Sequence, residues 1–165
     1  MGYFRFSRSL KLKEKGDTDP ETLNRLGNGY LYGDEIKQDF QKAFALYFKA
    51  ANQGNAQSQY NLGWMYVKGL GVEQDHSEAF RWYKKAADQG LAEAQLNIGG
   101  MYYCGEGVRQ NYAKALKWLR KAAAQGNPSA QEYIGMICEG MRKRKIPPGI
   151  KPGGMNSVRD ALSLD

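Results

Sequence analysis

Histidine occurs once in this chain of 165 residues, as His76, and cysteine twice, as Cys104 and Cys138. Two cysteines are too few for a disulfide framework, and neither has metal-ligand company at a binding spacing. A lone histidine with no cysteine or serine partner fixed by spacing reads as packing or surface, not as a catalytic base. No nucleophile–base pair or metal cluster is fixed by spacing, so neither an enzyme nor a cofactor is expected. Long apolar runs are missing as well. The opening "MGYFRFSRSLKLKEKG" is interrupted by Arg5 and Arg8 before it reaches signal-peptide length. Phe6 stands where myristoylation requires Ser or Thr. No stretch approaches the ~20 apolar residues of a membrane span. A cytoplasmic protein without a membrane span is the expectation.

A large excess of charge of either sign is missing from the middle of the chain. Residues 1–16 carry five basic residues and one acidic, residues 17–140 thirteen and fourteen, and residues 141–165 six and two. The net +7 therefore sits in two tails around a neutral centre. Apolar residues make up 42 % and aromatics 12 %, with eleven Tyr and three Trp, enough for a packed core.

What the centre does contain is a repeat. Shifting the sequence by thirty-six residues lays "AQSQYNLGWMYVKGLGVEQDHSEAFRWYKKAADQG" (56–90) over "AEAQLNIGGMYYCGEGVRQNYAKALKWLRKAAAQG" (92–126). The segment 20–54 fits one step earlier without a gap, and 128–140 fits one step later for half a unit. Each unit reads as two helices. Asp19, Asn55, Leu91 and Asn127 occupy the N-cap position of the first helix, and three of these four have a side chain that accepts an orphan N–H. Pro20 and Pro128 follow at the first helical position. Asp39, Asp75 and Asn111 open the second helix, Asp75 with Glu78 resembling a capping box. Gly54, Gly90 and Gly126 stop it.

The glycine pairs Gly69/Gly71 and Gly105/Gly107 invite a phosphate-binding reading. They follow helical segments, and Gln74 and Gln110 stand where a dinucleotide fingerprint needs its third glycine. They are expected to turn between antiparallel helices, with one or both at positive φ. Gly27, Gly63, Gly99 and Gly135 recur inside the first helices despite a cost of ~1 kcal/mol each, which predicts close helix–helix approach.

The pattern "A-x-A-Q-x-x-[LI]-G-x-M-Y-x-x-G-x-G-V-x-Q-[DN]…A-x-x-W-[YL]-x-K-A-A-x-Q-G" resembles the Sel-one-like repeat family, relatives of the tetratricopeptide repeats, over roughly residues 20–140. The resemblance implies an all-α fold, an α-solenoid of 36-residue helix-turn-helix repeats in a right-handed superhelix of about three and a half repeats. The division expected is a basic tail at 1–18, repeats at 20–55, 56–91 and 92–127, and a half repeat at 128–140. A basic Pro/Gly-rich tail follows at 141–165, with a short capping helix at 157–164. Two departures stand out. Glu35 replaces the second loop glycine in the first unit, and Pro147, Pro148 and Gly149 fall where a fourth second helix would begin. Cysteine-rich members bridge successive repeats at positions that here hold Ala87/Ala94 and Ala123/Ala130, so free thiols are expected.

Function implied by the resemblance is adaptor-like, in signalling, in bacterial effector–immunity pairing or in quality-control assemblies. A concave face lined mainly by first helices would grip a peptide segment or a partner helix. Trp82 and Trp118 hold the family's aromatic position and read as core, whereas Trp64 aligns with Asn28, Gly100 and Met136 and is not required by the repeat. Variable first-helix positions align as Arg25/Asn61/Asn97/Tyr133 and Asn24/Tyr60/Leu96/Glu132. Tyr32, Lys68 and Tyr103 lie near the helix ends. Tyr, Trp and Arg dominate interface energetics, and asparagines can bond a peptide backbone without demanding a sequence. The candidate partner-binding set is Arg25, Asn28, Tyr32, Tyr60, Asn61, Trp64, Lys68, Asn97, Tyr103 and Tyr133. The alternative is a nucleic-acid or anionic-surface binder using the tails, "MRKRK" (141–145) included. Without interleaved aromatics that block reads better as solvated. The open end of the half repeat is a candidate contact for a weak homodimer in an otherwise monomeric protein.

Overall fold

A computed structural model describes residues 19–33 and 36–143. They form seven helices: α1 (Pro20–Tyr32), α2 (Phe40–Asn52), α3 (Ala56–Lys68), α4 (His76–Asp88), α5 (Ala92–Cys104), α6 (Tyr112–Ala124) and α7 (Pro128–Arg142). No strand occurs among the described residues, and no helix there is long and apolar enough to cross a membrane. The two basic tails, the proposed capping segment 157–164 and the variant loop residue Glu35 lie outside the described residues.

The caps set these boundaries. Asp19, Asp39, Asn55, Asp75, Asn111 and Asn127 each accept a backbone N–H of the first helical turn, at 2.7–3.1 Å. Leu91 caps α5 with an extended backbone but no side-chain bond. The capping box is only half made: Asp75 accepts from Ser77 N and Glu78 N, while the Glu78 carboxylate turns to Arg81 at 2.7 Å. Every second helix that is followed by another among the described residues ends two residues before a glycine at positive φ, Gly54 (90°), Gly90 (99°) and Gly126 (85°).

The chain divides into two compact units, Met1–Gln74 and Asp75–Asp165. In the first, α2 packs on α1 and on α3. In the second, α4 packs on α5, α5 on α6, and α6 on α7, with a smaller direct contact between α5 and α7. The same devices recur in each. Phe44 meets Tyr66 edge-on at 5.4 Å, and thirty-six residues later Phe80 meets Tyr102 at 5.3 Å. Gln59 Nε2 donates to Ala51 O and Gln95 Nε2 to Ala87 O, so each buried glutamine ties a first helix to the end of the preceding second helix. Gln38, Gln74 and Gln110 each donate at 2.7 Å to a carbonyl in the last turn of a first helix, Leu31, Val67 and Tyr103, supplying an orphan acceptor with a donor.

The loop glycines are turns, as expected, and both members of each pair are left-handed. The second of each pair carries an added constraint. A Cβ on Gly71 would collide with the Phe40 carbonyl, and one on Gly107 with the His76 carbonyl. The loop after a first helix therefore seats on the N-terminus of the preceding second helix. Inside the helices, a Cβ on Gly27 would meet the Tyr47 ring at 2.6 Å and one on Gly99 would meet Leu119 at 2.6 Å. The expected close approach holds at those two positions and not at Gly135, where a Cβ would meet nothing within 4 Å. No second helix follows α7 among the described residues, so Gly135 and Cys138 are exposed, although their repeat equivalents Gly99 and Tyr102 are buried.

Candidate functional site

Seven of the ten candidate residues lie in the first unit, on α1 and α3. These helices run in parallel register, because the bonds joining them link residues 33–37 apart, close to the repeat length. Asn24 is the hub. Its Oδ1 accepts from Ser58 Oγ at 2.9 Å and from Asn61 Nδ2 at 3.3 Å, and the residue is only 5 % exposed. One turn along α1, Asn28 Oδ1 accepts from Tyr47 OH at 2.7 Å and from Asn61 Nδ2 at 3.5 Å. Asn61 Oδ1 in turn accepts from Gln57 Nε2 at 3.4 Å. Burial of the Tyr47 ring raises the pKa of its hydroxyl above the ordinary value, holding it as a donor.

Around this network the side chains reach solvent to differing degrees. Tyr60, Asn61 and Trp64 on α3 and Asn28 on α1 are half-buried. Arg25, Lys68 and Tyr32 are exposed, Tyr32 to 65 %. The helical spacing puts Arg25, Asn28 and Tyr32 on one stripe and Asn61, Trp64 and Lys68 on the matching stripe of the neighbouring helix. The direct bonds between α1 and α3 bring Asn28 and Asn61 together on a surface that mixes aromatic area, amide donors and positive charge.

The remaining three candidates belong to the second unit and behave differently. Tyr133 is 2 % exposed and Tyr103 is 9 % exposed, and their rings meet at 6.2 Å, close to perpendicular. Tyr103 also lies 5.7 Å from the Tyr112 ring. Both rings are core side chains, which removes Tyr103 and Tyr133 from a solvent-facing set. Asn97 stays half-buried on α5.

Burial dominates the chemistry of this aromatic group. It pushes the Tyr133 hydroxyl up to about 12, helped by neighbouring Cys104, Tyr103 and Glu106, and it raises Tyr103 and Tyr112 as well. The Cys104 thiol is pushed up to about 11, first by burial and then by the Glu106 carboxylate. A thiol so protonated is a poor nucleophile at neutral pH. Both cysteines are free. His76 is half-buried at the start of α4, and no group of three or more His, Cys, Asp or Glu among the described residues could hold a metal ion. Trp82 and Trp118 are 6 % and 7 % exposed, with Lys85 at 3.9 Å over one ring and Lys121 at 4.3 Å over the other.

Ser58, Tyr47 and Gln57 had not been singled out from the sequence as members of the site. One signal was available: Ser58 is polar where the later repeats have Ala94 and Ala130.

The sequence profile of the Sel1 repeat family matches residues 20–55, 56–91 and 92–127. Among solved structures, a Sel1 repeat protein from Oxalobacter formigenes is similar at 35 % identity and a TM-score of 0.76, over 79 % of this chain and 55 % of that one. A protective antigen of uropathogenic Escherichia coli strains with an SLR fold is similar at 38 % identity and a TM-score of 0.74, over 87 % of this chain and 29 % of that one. Cysteine-rich protein B of Helicobacter pylori is similar at 26 % identity and a TM-score of 0.62, over 80 % and 99 %. The chain thus spans about half the length of the first of these proteins and less than a third of the second. No curated protein matches it.

Proposed function

Since the chain belongs to the Sel1 repeat family, whose members generally mediate protein–protein interactions on a scaffold that is typically non-catalytic, we propose that it is a non-enzymatic adaptor that holds a segment of a partner protein on the face made by α1 and α3. The observation that carries this reading is Trp64, half-buried beside the Asn24–Asn61–Asn28 network. The repeat does not need its bulk, since Asn28, Gly100 and Met136 stand at the same position. A large aromatic kept at the edge of a polar network offers a partner both apolar area and hydrogen bonds, as interface anchors do. Tyr60, Lys68, Arg25 and Tyr32 extend the same surface. Signalling complexes and bacterial effector–immunity pairs both call for such a module. Free thiols, one of them held protonated by burial, are in keeping with a reducing cytoplasm.

The test is selection of binders from two peptide libraries displayed on phage, one of linear dodecapeptides and one of helix-stapled peptides. Binding is then measured to the protein and to its Tyr60→Ala/Trp64→Ala double variant. The expected result is loss of affinity of tenfold or more with little change in the melting temperature. Selected peptides that bind the double variant as tightly as the parent would place the binding surface elsewhere.

A further inference from the structure

Cations on the second helices are neutralised in the first two repeats and not in the third. In α2, Lys42 pairs with Asp39 at 3.6 Å; in α4, Arg81 pairs with Glu78 at 2.7 Å and Lys84 with Asp88 at 2.5 Å. The equivalent positions of α6 keep each cation and lose each carboxylate. Lys114 follows Asn111, Lys117 follows Lys114, and Arg120 precedes Ala124. Lys121 joins them, all four are exposed, and residues 107–131 contain no Asp or Glu. Among the described residues, none of the four forms a salt bridge. The helix bears two local costs for this. Lys117 and Lys121 are like charges at i, i+4, which repel. Lys114 puts a cation in the first turn, at the positive end of the helix dipole, where α4 has Glu78. Neither tail holds an acidic run that could compensate: residues 1–18 contain Glu14 and Asp17 only, and residues 144–165 Asp160 and Asp165 only, outnumbered by basic residues in both.

A helix face that forgoes its own counter-ions is suited to counter-ions brought by another molecule. We propose that the exposed face of α6 is a second docking surface, which takes an acidic segment of a partner protein. Lys114, Lys117 and Lys121 rise about 4.5 and 6 Å from one to the next along the helix axis. Glutamates at i, i+3 and i+7 of a partner helix rise by the same steps, so the two rows of charge can meet turn for turn. Attraction of this kind counts carboxylates, speeds encounter and weakens with salt. The surroundings favour a protein over the other polyanions. The rings nearest these cations, Tyr102 and Trp118, are buried and lie under Lys114 at 5.4 Å and Lys121 at 4.3 Å, with Lys84 also over Trp118 at 5.1 Å. No ring face is left there for a nucleic-acid base to stack on. The exposed large apolar side chains among the described residues are Tyr32, Phe48 and Met141, none of them on α6, so the face has nothing to insert into a lipid surface.

The probe is an alanine-based peptide with glutamates at i, i+3, i+6 and i+7, compared with the same peptide carrying glutamines. Each is titrated into the full chain at low salt and followed through backbone amide NMR signals. The glutamate peptide is expected to shift the amides of residues 114–121 saturably, and the glutamine peptide to leave them in place. Asn111→Asp/Lys114→Glu/Ala124→Asp writes the carboxylates of the earlier repeats into α6. It is expected to keep the melting temperature and to lower affinity for the glutamate peptide by roughly tenfold or more. Lys117→Gln/Arg120→Gln leaves the cap untouched and is expected to lower it by roughly threefold or more, so the claim is still decided if the triple variant does not fold. No binding, shifts confined to other residues, or unchanged affinity in either folded variant would overturn the proposal. Tighter binding of polyuridylate RNA, or of phosphatidylserine vesicles, through the same residues would overturn the assignment to an acidic protein. Tyr60→Ala/Trp64→Ala is expected to bind the glutamate peptide as the parent does, so this surface fails or stands separately from the α1–α3 face.

Discussion

At the junction of α1 and α3, Asn24, Ser58 and Asn61 are joined by hydrogen bonds, while at the junction of α5 and α7 the same repeat positions hold Leu96, Ala130 and Tyr133. Tyr133 closes the second junction against Tyr103 with almost no exposure. The repeat accepts both solutions because exchanging a hydrogen-bonded polar set for an apolar one can be nearly neutral in net stability. What differs is the surface left behind. The polar junction presents amide groups and Trp64, whereas the apolar one presents the closed ring contact of Tyr103 and Tyr133. A repeat protein can thus fix its architecture at shared positions and write its binding chemistry at a few others.

Alkaline pH should separate the two junctions most strongly. Tyr103, Tyr112, Tyr133 and Cys104, all in the second unit, are held protonated by burial, as is Tyr47 in the first. A raised pKa of an acid means that folding favours the neutral form. Stability from Cys104 is present in full below pH 9.0 and is lost as pH rises through about 11. That from Tyr133 is present below 10.0 and is lost through about 12. Circular dichroism and tyrosinate absorbance should change together above pH 9, with amide signals of the second unit lost first. Smooth ionisation of all tyrosines near pH 10 in a folded chain would contradict the burial.

Substitution gives the next contrast. Tyr133→Ala should cost about 3–5 kcal/mol in denaturant unfolding, while Trp64→Ala, at a half-buried position, should cost about 1 kcal/mol. Equal costs would erase the distinction between a core ring and a surface anchor. The loops should show no contrast at all. Gly71→Val and Gly107→Val each combine a left-handed backbone, worth about 1–2 kcal/mol, with a collision against a carbonyl of the preceding helix, worth about 1–3 kcal/mol more. A clear difference between the two would show that the units use the loop differently. Smallest of all, Asn24→Leu/Ser58→Ala/Asn61→Tyr, which writes the second junction into the first, should leave stability within about 1 kcal/mol and abolish binding.

The repeat frame was readable because its signals are local. Cap residues, the prolines at the first helical position and the loop glycines act within a few residues of themselves, so Asp19, Asn55 and Gly71 announce their roles in the sequence. The second constraint on Gly71, its seating on the Phe40 carbonyl thirty-one residues earlier, depends on packing and has no local sign. The site was half legible. Variability between repeats singles out first-helix positions, but it cannot tell an exposed side chain from a core one, and Tyr133 at such a position is 2 % exposed. Gln38, Gln74 and Gln110 were visible as a recurring letter before the N-cap; their bond to the end of the first helix needed the turn to be closed.

The central claim, that the α1–α3 face is the binding surface, is tested most directly by the indole N–H signals of the three tryptophans in a two-dimensional NMR titration with the selected linear peptide. The account predicts that the Trp64 signal shifts in proportion to occupancy while those of Trp82 and Trp118, buried under lysine side chains, stay in place. Saturable binding that leaves Trp64 unmoved, or that moves only Trp82 or Trp118, would contradict it.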